Sequence, residues 1–404
     1  LVEIEGTVDD FSWSPDERQL LCRVQKQDPE VLEREKDEQK KKLGTVDRHY
    51  DRVFYKLDGT GYLPRERWHL WTVDVPTGKA RQITGHPIYD EKYPSWSPDG
   101  KSIVFISNHS EKPDLTPSRD EVFILPVKRG EARALPTPVG EKLLPSFSPD
   151  GRFVAYYGTE GEVETYRNQG LWIVPTDGST PACNLTAAYD LMVSPWTIND
   201  LGSPEMMPPT WSLDGKRLYF PVVYHGSSLL MSLAAGGEDL RTEIGEGGVA
   251  GTFDFDAAHK KMAYFYGTLS DPGQVHLRDM TTSTDRSLTA VNRSLLDSID
   301  LGQVEETWFK SPSGMDLQGW VLKPPEFDPA QKYPAIIEIH GGPQTQYGNF
   351  IMHEFYYLAS KGYVVAFCNP RGGRGYGEEH TRAIWRMWGD ADYADLMAWA
   401  DVVA

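Results

Sequence analysis

Residues 94–100 read Pro-Ser-Trp-Ser-Pro-Asp-Gly, and close copies of this motif recur along the chain. The other copies lie at residues 11–16, 145–151 and 209–215, with a degenerate fifth copy at residues 253–256. The Ser-Pro-Asp-Gly part fits a type I turn, in which Pro98 presets φ at the second position and Gly100 takes the fourth. An apolar, β-branched or aromatic run follows each turn. Each copy therefore predicts two strands joined by a tight turn.

A second pattern, at residues 70–84, 171–186 and 275–289, predicts a further hairpin in the same repeating unit. The shortest interval between turn aspartates is the 42 residues from Asp214 to Asp256, which matches a propeller blade of roughly 40 to 50 residues. We count five blades. Residues 1–5 resemble the last strand of an earlier blade. An open five-bladed ring would also leave strand edges unpaired, so we expect one or two blades to be missing from the front. The sequence thus predicts an all-β propeller, with seven blades when complete.

The repeat stops near Leu301, and strands then alternate with helix-length segments, which is the pattern of an α/β domain. A hairpin is predicted at residues 306–322 and a buried strand at Ala335 to Ile339, followed by His340-Gly-Gly-Pro343. A helix near residues 351–360, a strand at 363–367, the loop 369–377 and a helix from Ala391 come next. We assign residues 1–300 to the β-propeller, with about five blades visible, and residues 301–404 to the N-terminal part of an α/β-hydrolase domain, truncated before the nucleophile elbow.

The His-Gly-Gly turn carries the candidate chemistry of this second domain. In α/β-hydrolases a glycine-rich turn after a strand supplies a backbone N–H to the oxyanion hole. A tetrahedral intermediate bears a negative charge that needs fixed donors, and glycine lets the backbone approach without a Cβ in the way. A tight turn that merely requires a positive φ would explain an isolated Gly-Gly pair equally well.

Taken together, the motifs resemble the prolyl oligopeptidase family of serine peptidases, and within it the acylaminoacyl-peptidase branch. The resemblance rests on the Ser-Trp-Ser-Pro-Asp-Gly repeats, His340-Gly-Gly-Pro343, the loop 369–377 and Trp388-Gly-Asp-Ala-Asp392, in this order. It implies a Ser-Asp-His triad on the hydrolase domain, a propeller that limits entry to short peptides, and Gly342 as a backbone donor to the oxyanion. Prolyl oligopeptidases proper and dipeptidyl peptidases carry a tyrosine where this sequence has His340, a departure that favours the acylaminoacyl branch and leaves no tyrosine donor at this position.

The implied activity is that of a serine peptidase that hydrolyses short peptides by acyl-enzyme chemistry and releases terminal, acylated amino acids. The 404 residues contain no Gly-x-Ser-x-Gly, so we expect an internal fragment in which nucleophile, acid and base are not in this chain. Two alternatives stay open. A carboxylesterase-like hydrolase would use the same oxyanion turn, and a non-catalytic propeller scaffold would serve protein interaction.

The net charge and the lengths of the apolar runs limit the kinds of partner that the protein can bind. Aspartate plus glutamate total 59 against 41 lysine plus arginine, a net charge of −18 that repels nucleic acid. No run approaches the roughly 18 apolar residues of a membrane span. We expect short peptide substrates, the missing remainder of the same polypeptide and, as an option, a homo-oligomer as partners, with no nucleic acid, no membrane and no cofactor or metal.

The remaining reactive side chains predict structural roles. Cys22, Cys183 and Cys368 lack a C-x-x-C pair, which predicts three reduced, buried thiols and a cytoplasmic protein. The last helix carries four acids that could suggest a metal site, Asp390, Asp392, Asp395 and Asp401, but Asp390 and Asp392 lie where helix N-terminal acids belong, so no metal is expected. Arg371 and Arg374 are expected to pair with acids inside the protein rather than to grip a substrate carboxylate.

Overall fold

A computed structural model describes residues 3–45, 47–50, 52–128, 130–162, 164–202 and 204–404. The chain divides into two compact units. The first unit comprises Leu1–Val163 and Trp172–Cys183, and the second comprises Glu164–Leu171 and Asn184–Ala404. The proposed domain limits at residues 1–300 and 301–404 follow a different criterion, the end of the sequence repeat, and stay a prediction.

Three four-stranded sheets begin in the first unit. The first sheet has the order β1-β2-β5-β6, from β1 (Gly6–Trp13), β2 (Gln19–Lys26), β5 (Trp68–Asp74) and β6 (Lys79–Gln82). Between its second and third strands lie α1 (Pro29–Glu35), α2 (Glu38–Leu43) and a small hairpin of β3 (Lys56–Leu57) and β4 (Gly61–Tyr62). Neither helix buries a residue. Residues 33–42, which carry charges of both signs, are typical of a solvent-exposed segment.

The second and third sheets repeat this arrangement. The second has the order β10-β9-β8-β7, from β7 (Glu91–Trp96), β8 (Ser102–Ser107), β9 (Glu121–Pro126) and β10 (Arg133–Ala134), with a 3₁₀ turn at Pro113–Leu115. The third has the order β11-β12-β13-β14, from β11 (Lys142–Phe147), β12 (Phe153–Gly158), β13 (Gly170–Pro175) and β14 (Cys183–Asn184). Alternate strand residues such as Val104, Val122 and Val154 face one another in a shared core.

The second unit holds two further groups of four strands. One consists of β15 (Thr210–Trp211), β16 (Arg217–Tyr224), β17 (Ser227–Ala234) and β18 (Arg241–Ile244). The other consists of β19 (Val249–Phe255), β20 (Lys261–Gly267), β21 (Gln274–Asp279) and β22 (Thr284–Ser287), and the short helix α3 (Arg293–Leu296) follows it. A single parallel pair, Ser228 with Val249, links the two groups into one eight-stranded sheet.

The aromatic residue before each turn occupies the same register position in every repeat. Trp13 pairs with Leu20, Trp96 with Ile103, Phe147 with Val154 and Trp211 with Leu218. These four turns are also built alike, because the serine hydroxyl donates to the turn aspartate, at 2.8 Å between Ser97 Oγ and Asp99 Oδ1. The repeats therefore form equivalent hairpins.

One expectation about the start of the chain is wrong. Glu3 to Glu5 are not a strand of an earlier blade, since β1 begins at Gly6 and the carbonyl of Glu5 accepts the amide of Gln27. This hydrogen bond continues the pairing of β1 with β2. Leu1 and Val2 lie outside the described residues.

The last sheet is of the α/β type and has the order β23-β24-β26-β25. Its elements are β23 (Gln303–Lys310), β24 (Asp316–Lys323), β25 (Ala335–Glu338), α4 (His353–Ser360), β26 (Val364–Asn369), α5 (Glu378–Arg382) and α6 (Ala391–Val403). β25 and β26 are parallel, whereas the other pairs are antiparallel. Trp320, Phe355 and Phe367 form the centre of its core.

The strand predicted at Ala335 to Ile339 is present as β25, but the prediction that it is buried is wrong. Among the described residues only β26 pairs with β25, so that β25 lies at the edge of the sheet. Ala335 and Ile339 are exposed, and the residues between them are half-buried. An apolar run indicates a strand well, but it does not reveal how many neighbours that strand has.

The described residues include no helix with both the length and the apolar character needed to cross a membrane. All three cysteines are free. Cys22 and Cys368 are buried as expected, but Cys183 is exposed, because it lies on β14, a two-residue strand at the outer end of its sheet.

Candidate active site

The turn His340–Pro343 directly follows β25 and presents two glycines to solvent. Gly342 has a φ of +121°, in the region that favours glycine. Within the described part of the chain, neither Gly341 nor Gly342 spends its N–H on a hydrogen bond. Exposed, unused N–H groups held in a turn are what an oxyanion hole requires before a substrate arrives.

His340 packs its ring against Tyr347 at the base of the turn. The two ring centroids are 5.0 Å apart and the rings are nearly perpendicular. Burial lowers the pKa of His340, so its imidazole is neutral near pH 7. The side chain thus acts as an uncharged packing group beside the glycines.

A buried amide holds Tyr347 in place. The side chain of Asn369, at the end of β26, accepts from the backbone N–H of Tyr347 at 2.8 Å and donates to its carbonyl at 2.9 Å. It also lies 2.6 Å from the hydroxyl of Tyr376, which in turn lies 2.6 Å from Oε1 of Gln318. The network ties the segment after the turn to the centre of the sheet.

Residues beyond the turn contact the β12–β13 loop of the third sheet and the segment that connects the third and fourth sheets. Gln344 donates through Nε2 to Thr165 Oγ1 at 2.8 Å, and Thr345 donates through Oγ1 to the carbonyl of Trp196 at 3.1 Å. Gln346 is fully buried and donates to Thr197 Oγ1 at 2.8 Å. All of these residues belong to the second unit, so the propeller-like strands and the α/β sheet share one polar contact region.

The same connecting segment caps two helices of the α/β sheet. Asp200 accepts from the amides of His353 and Glu354, both at 2.8 Å, at the start of α4. Asp190 accepts from the amide of Glu378 at 2.9 Å, at the start of α5. Helix N-termini leave amides without intrahelical partners, and carboxylates satisfy them well. Sequence reasoning missed both caps, since each aspartate lies more than 150 residues from its helix.

The two loop arginines have different partners. Arg371 pairs with Asp395 as predicted, with Nε 2.8 Å from Oδ2 and Nη2 2.7 Å from Oδ1. The guanidinium of Arg374 donates to the main-chain carbonyls of Thr165, Tyr166 and Arg167. Main-chain carbonyl oxygens are hydrogen-bond acceptors and so help to satisfy the donors of a buried guanidinium.

No three His, Cys, Asp or Glu side chains within the described ranges are grouped so as to hold a metal ion. The helix acids have other uses: Asp395 binds Arg371, and Asp392 accepts from the amide of Gly389 at 2.8 Å. Asp390 occupies the N-cap position of α6, but its side chain makes no capping hydrogen bond with the described residues.

His380 predicts a pH dependence of stability. This histidine of α5 is buried, with Nδ1 3.2 Å from the carbonyl of Gly373, and burial lowers its pKa to about 4. Between pH 4 and the unfolded value of about 6.5, the unfolded chain binds more protons, so stability falls as pH falls through this range. We expect His380 to account for a loss of about 3 kcal/mol in the free energy of unfolding.

Denaturant titrations at several pH values, run in parallel on the chain and on His380→Gln, isolate this contribution as the difference between two curves. The variant should lose less stability between pH 6.5 and 4. Identical slopes for both proteins would show that His380 is not a buried neutral imidazole.

Five four-stranded repeats followed by an α/β sheet with a glycine turn define a β-propeller joined to an α/β-hydrolase domain. Residues 349–404 match the model of the prolyl oligopeptidase family. The uncharacterized peptidase YuxL of Bacillus subtilis is 29% identical over 404 residues, covering 99% of this chain and 60% of that protein. The resemblance to the prolyl oligopeptidase family is thereby confirmed.

Other similar proteins are also named as peptidases. Dipeptidyl-peptidase 5 of Trichophyton equinum is 26% identical over 79% of this chain and 46% of that protein. Among solved structures, Pyrococcus horikoshii acylaminoacyl peptidase is 23% identical, with a TM-score of 0.76 over 98% of this chain and 56% of that one. A puromycin-hydrolyzing peptidase of Mycobacterium tuberculosis is 17% identical, with a TM-score of 0.68, and the match covers 100% of this chain and 57% of that one. The fold class is confirmed, and the chain spans a little over half the length of these structures.

Proposed function

We propose that the protein carrying this chain is a serine peptidase that hydrolyses short peptides and releases terminal, acylated amino acids, with the propeller restricting access. The observation that carries the proposal is the exposed turn after β25, where Gly342 has a positive φ and an unused N–H. The family match and the peptidase relatives support the same chemistry.

In this proposal the chain contributes the oxyanion donor. A serine oxygen adds to the scissile carbonyl, the carbonyl oxygen becomes negative, and the N–H of Gly342 donates to it. Collapse of the intermediate expels the amine and leaves an acyl-enzyme, which water hydrolyses. The 404 residues hold no Gly-x-Ser-x-Gly, so we propose that nucleophile, acid and base come from residues outside this chain.

Two further proposals concern the cellular compartment of the protein and its partners. We place the protein in the cytoplasm, because three free thiols, one of them exposed, suit a reducing compartment. We propose short peptides as its partners.

The test compares three chromogenic substrates on the full-length polypeptide that contains this chain. They are an acetylated amino-acid p-nitroanilide, a free-amino dipeptidyl p-nitroanilide and a p-nitrophenyl ester of a short acid. We expect the acetylated anilide to be cleaved best, and a serine-directed organophosphate to abolish the reaction. The 404-residue chain alone should show no turnover.

Other outcomes would replace the proposal. Hydrolysis of the ester alone would identify a carboxylesterase-like enzyme. Preference for the free-amino dipeptide would favour the activity for which the dipeptidyl-peptidase 5 relatives are named. Turnover by the 404-residue chain that resists serine reagents would show a different catalytic machinery.

A further inference from the structure

Arg374 lies in the glycine-rich loop after β26 and is almost completely buried, with 4% of its surface exposed. Burying a guanidinium is costly unless its N–H groups are well hydrogen-bonded. Its partners therefore explain why the loop carries a second arginine at this position.

The guanidinium binds three successive carbonyls of the segment 165–167. Nη2 donates to the carbonyl of Thr165 at 2.6 Å, and Nη1 donates to those of Tyr166 at 2.8 Å and Arg167 at 3.0 Å. The planar fork of arginine matches several fixed acceptors at once, whereas the ammonium of lysine is a compact point charge. This segment immediately precedes β13, a strand of the third sheet.

The same residue also holds the glycine turn. Its Nη2 lies 3.3 Å from Oε1 of Gln344, and its backbone N–H donates to the carbonyl of Thr345 at 2.9 Å. Gln344 closes the arrangement by donating to Thr165 Oγ1 at 2.8 Å. One side chain therefore connects the segment 165–167 to the residues that follow Gly342.

Thr345, whose carbonyl accepts from the backbone of Arg374, also contacts Gly342. A Cβ added at Gly342 would lie 2.9 Å from Cγ2 of Thr345, so the threonine packs against the glycine that offers its N–H. A shift of Thr345 would therefore displace that donor. Displacements of about 1 Å at a reacting group can cost about a hundredfold in rate.

We propose that Arg374 is a positioning residue, which fixes the oxyanion turn to the segment 165–167 so that propeller-side residues set the direction of the Gly342 N–H. This inference rests on the proposed function, in which that N–H stabilises the oxyanion. It adds to the proposal a second role for the propeller side, in the geometry of the active site as well as in access to it.

The experiment compares Arg374→Met and Arg374→Lys with a matched control, Asp200→Ala. The control removes a different contact of the α/β sheet, the cap of α4 by the segment between β14 and β15, and does not contact the glycine turn. In the full-length polypeptide we expect Arg374→Met to lower kcat ten- to a hundredfold with KM changed less than threefold. Arg374→Lys should recover little of the loss, and Asp200→Ala should leave kcat within about twofold.

Hydrogen exchange in the full-length polypeptide provides a readout that needs no activity. The Thr345 amide, which donates to the carbonyl of Pro343 at 2.9 Å, should exchange at least tenfold faster in Arg374→Met but not in Asp200→Ala. Unchanged exchange would overturn the positioning role whatever the enzyme does. Faster exchange in a protein without peptidase activity would instead refute the proposed function and leave the structural brace standing. An equal loss of kcat in Asp200→Ala would show a general structural effect and would also overturn the inference.

Discussion

Replacing Gly342 by alanine is expected to lower kcat of the full-length polypeptide by roughly 100- to 1,000-fold, with little change in KM. The reason is that the N–H would stabilise charge that exists only in the transition state. Gly342 is exposed, its N–H has no partner among the described residues, and its φ of +121° suits glycine far better than alanine. The added side chain would tilt the peptide plane and with it the donor.

The control separates a tilted donor from a crowded turn. An alanine Cβ would approach Cγ2 of Thr345 at 2.9 Å, so the double variant Gly342→Ala with Thr345→Ser removes the collision and leaves only the backbone strain. Thr345→Ser alone keeps the hydroxyl that donates to Trp196 but removes the methyl group that packs against Gly342, so its kcat measures the effect of that contact by itself. If folded Gly342→Ala keeps its full kcat while His340→Ala loses a hundredfold, the imidazole and not the backbone serves the oxyanion.

The repeating hairpins could be predicted from the sequence because the interactions that define them are local. In each turn the serine, the aspartate and the amides that they bind lie within five residues, as with Ser97, Asp99 and Ser102. The residue preferences of turns and the two-residue alternation of strands can both be recognised within short stretches of sequence. The aromatic residues consequently have the same register in four hairpins.

The contacts around the candidate site could not be predicted, because their partners are distant along the chain. Arg374 binds carbonyls more than 200 residues away, and Asp200 caps a helix about 150 residues away. A main-chain carbonyl has no sequence signature, so nothing distinguishes an arginine that binds carbonyls from one that binds an acid. The prediction that β25 is buried was wrong for a related reason, since the number of neighbours of a strand depends on the whole sheet.

Replacing Asp395 by asparagine is expected to cost about 3 to 5 kcal/mol of unfolding free energy, the range for removing one partner of a buried ion pair. Asp395 has no exposed surface and accepts three hydrogen bonds from Arg371, from its backbone N–H at 3.0 Å, Nε at 2.8 Å and Nη2 at 2.7 Å. Asparagine removes the charge and replaces one acceptor by a donor, so the guanidinium stays buried without its counter-ion.

The matched control is Asp316→Asn, which breaks an ion pair of similar length at the surface. Asp316 lies 2.7 Å from Lys310, and both side chains are more than 60% exposed. Solvent screens such pairs, so the change should stay below about 1 kcal/mol. Denaturant titrations of both variants measure the difference directly.

A double variant distinguishes the loss of a counter-ion from a loss of packing. Arg371 also links this pair to its surroundings, through Ser313 Oγ at 2.9 Å and the carbonyl of Ala391 at 3.3 Å, so the pair joins the loop after β26 to the β23–β24 turn and to α6. Because an unpaired buried charge is worse than none, Arg371→Met with Asp395→Leu should be more stable than Asp395→Asn alone. If the loss of stability in the double variant equals the sum of the losses in Arg371→Met and Asp395→Leu, the two residues are not energetically coupled and the ion-pair explanation is wrong.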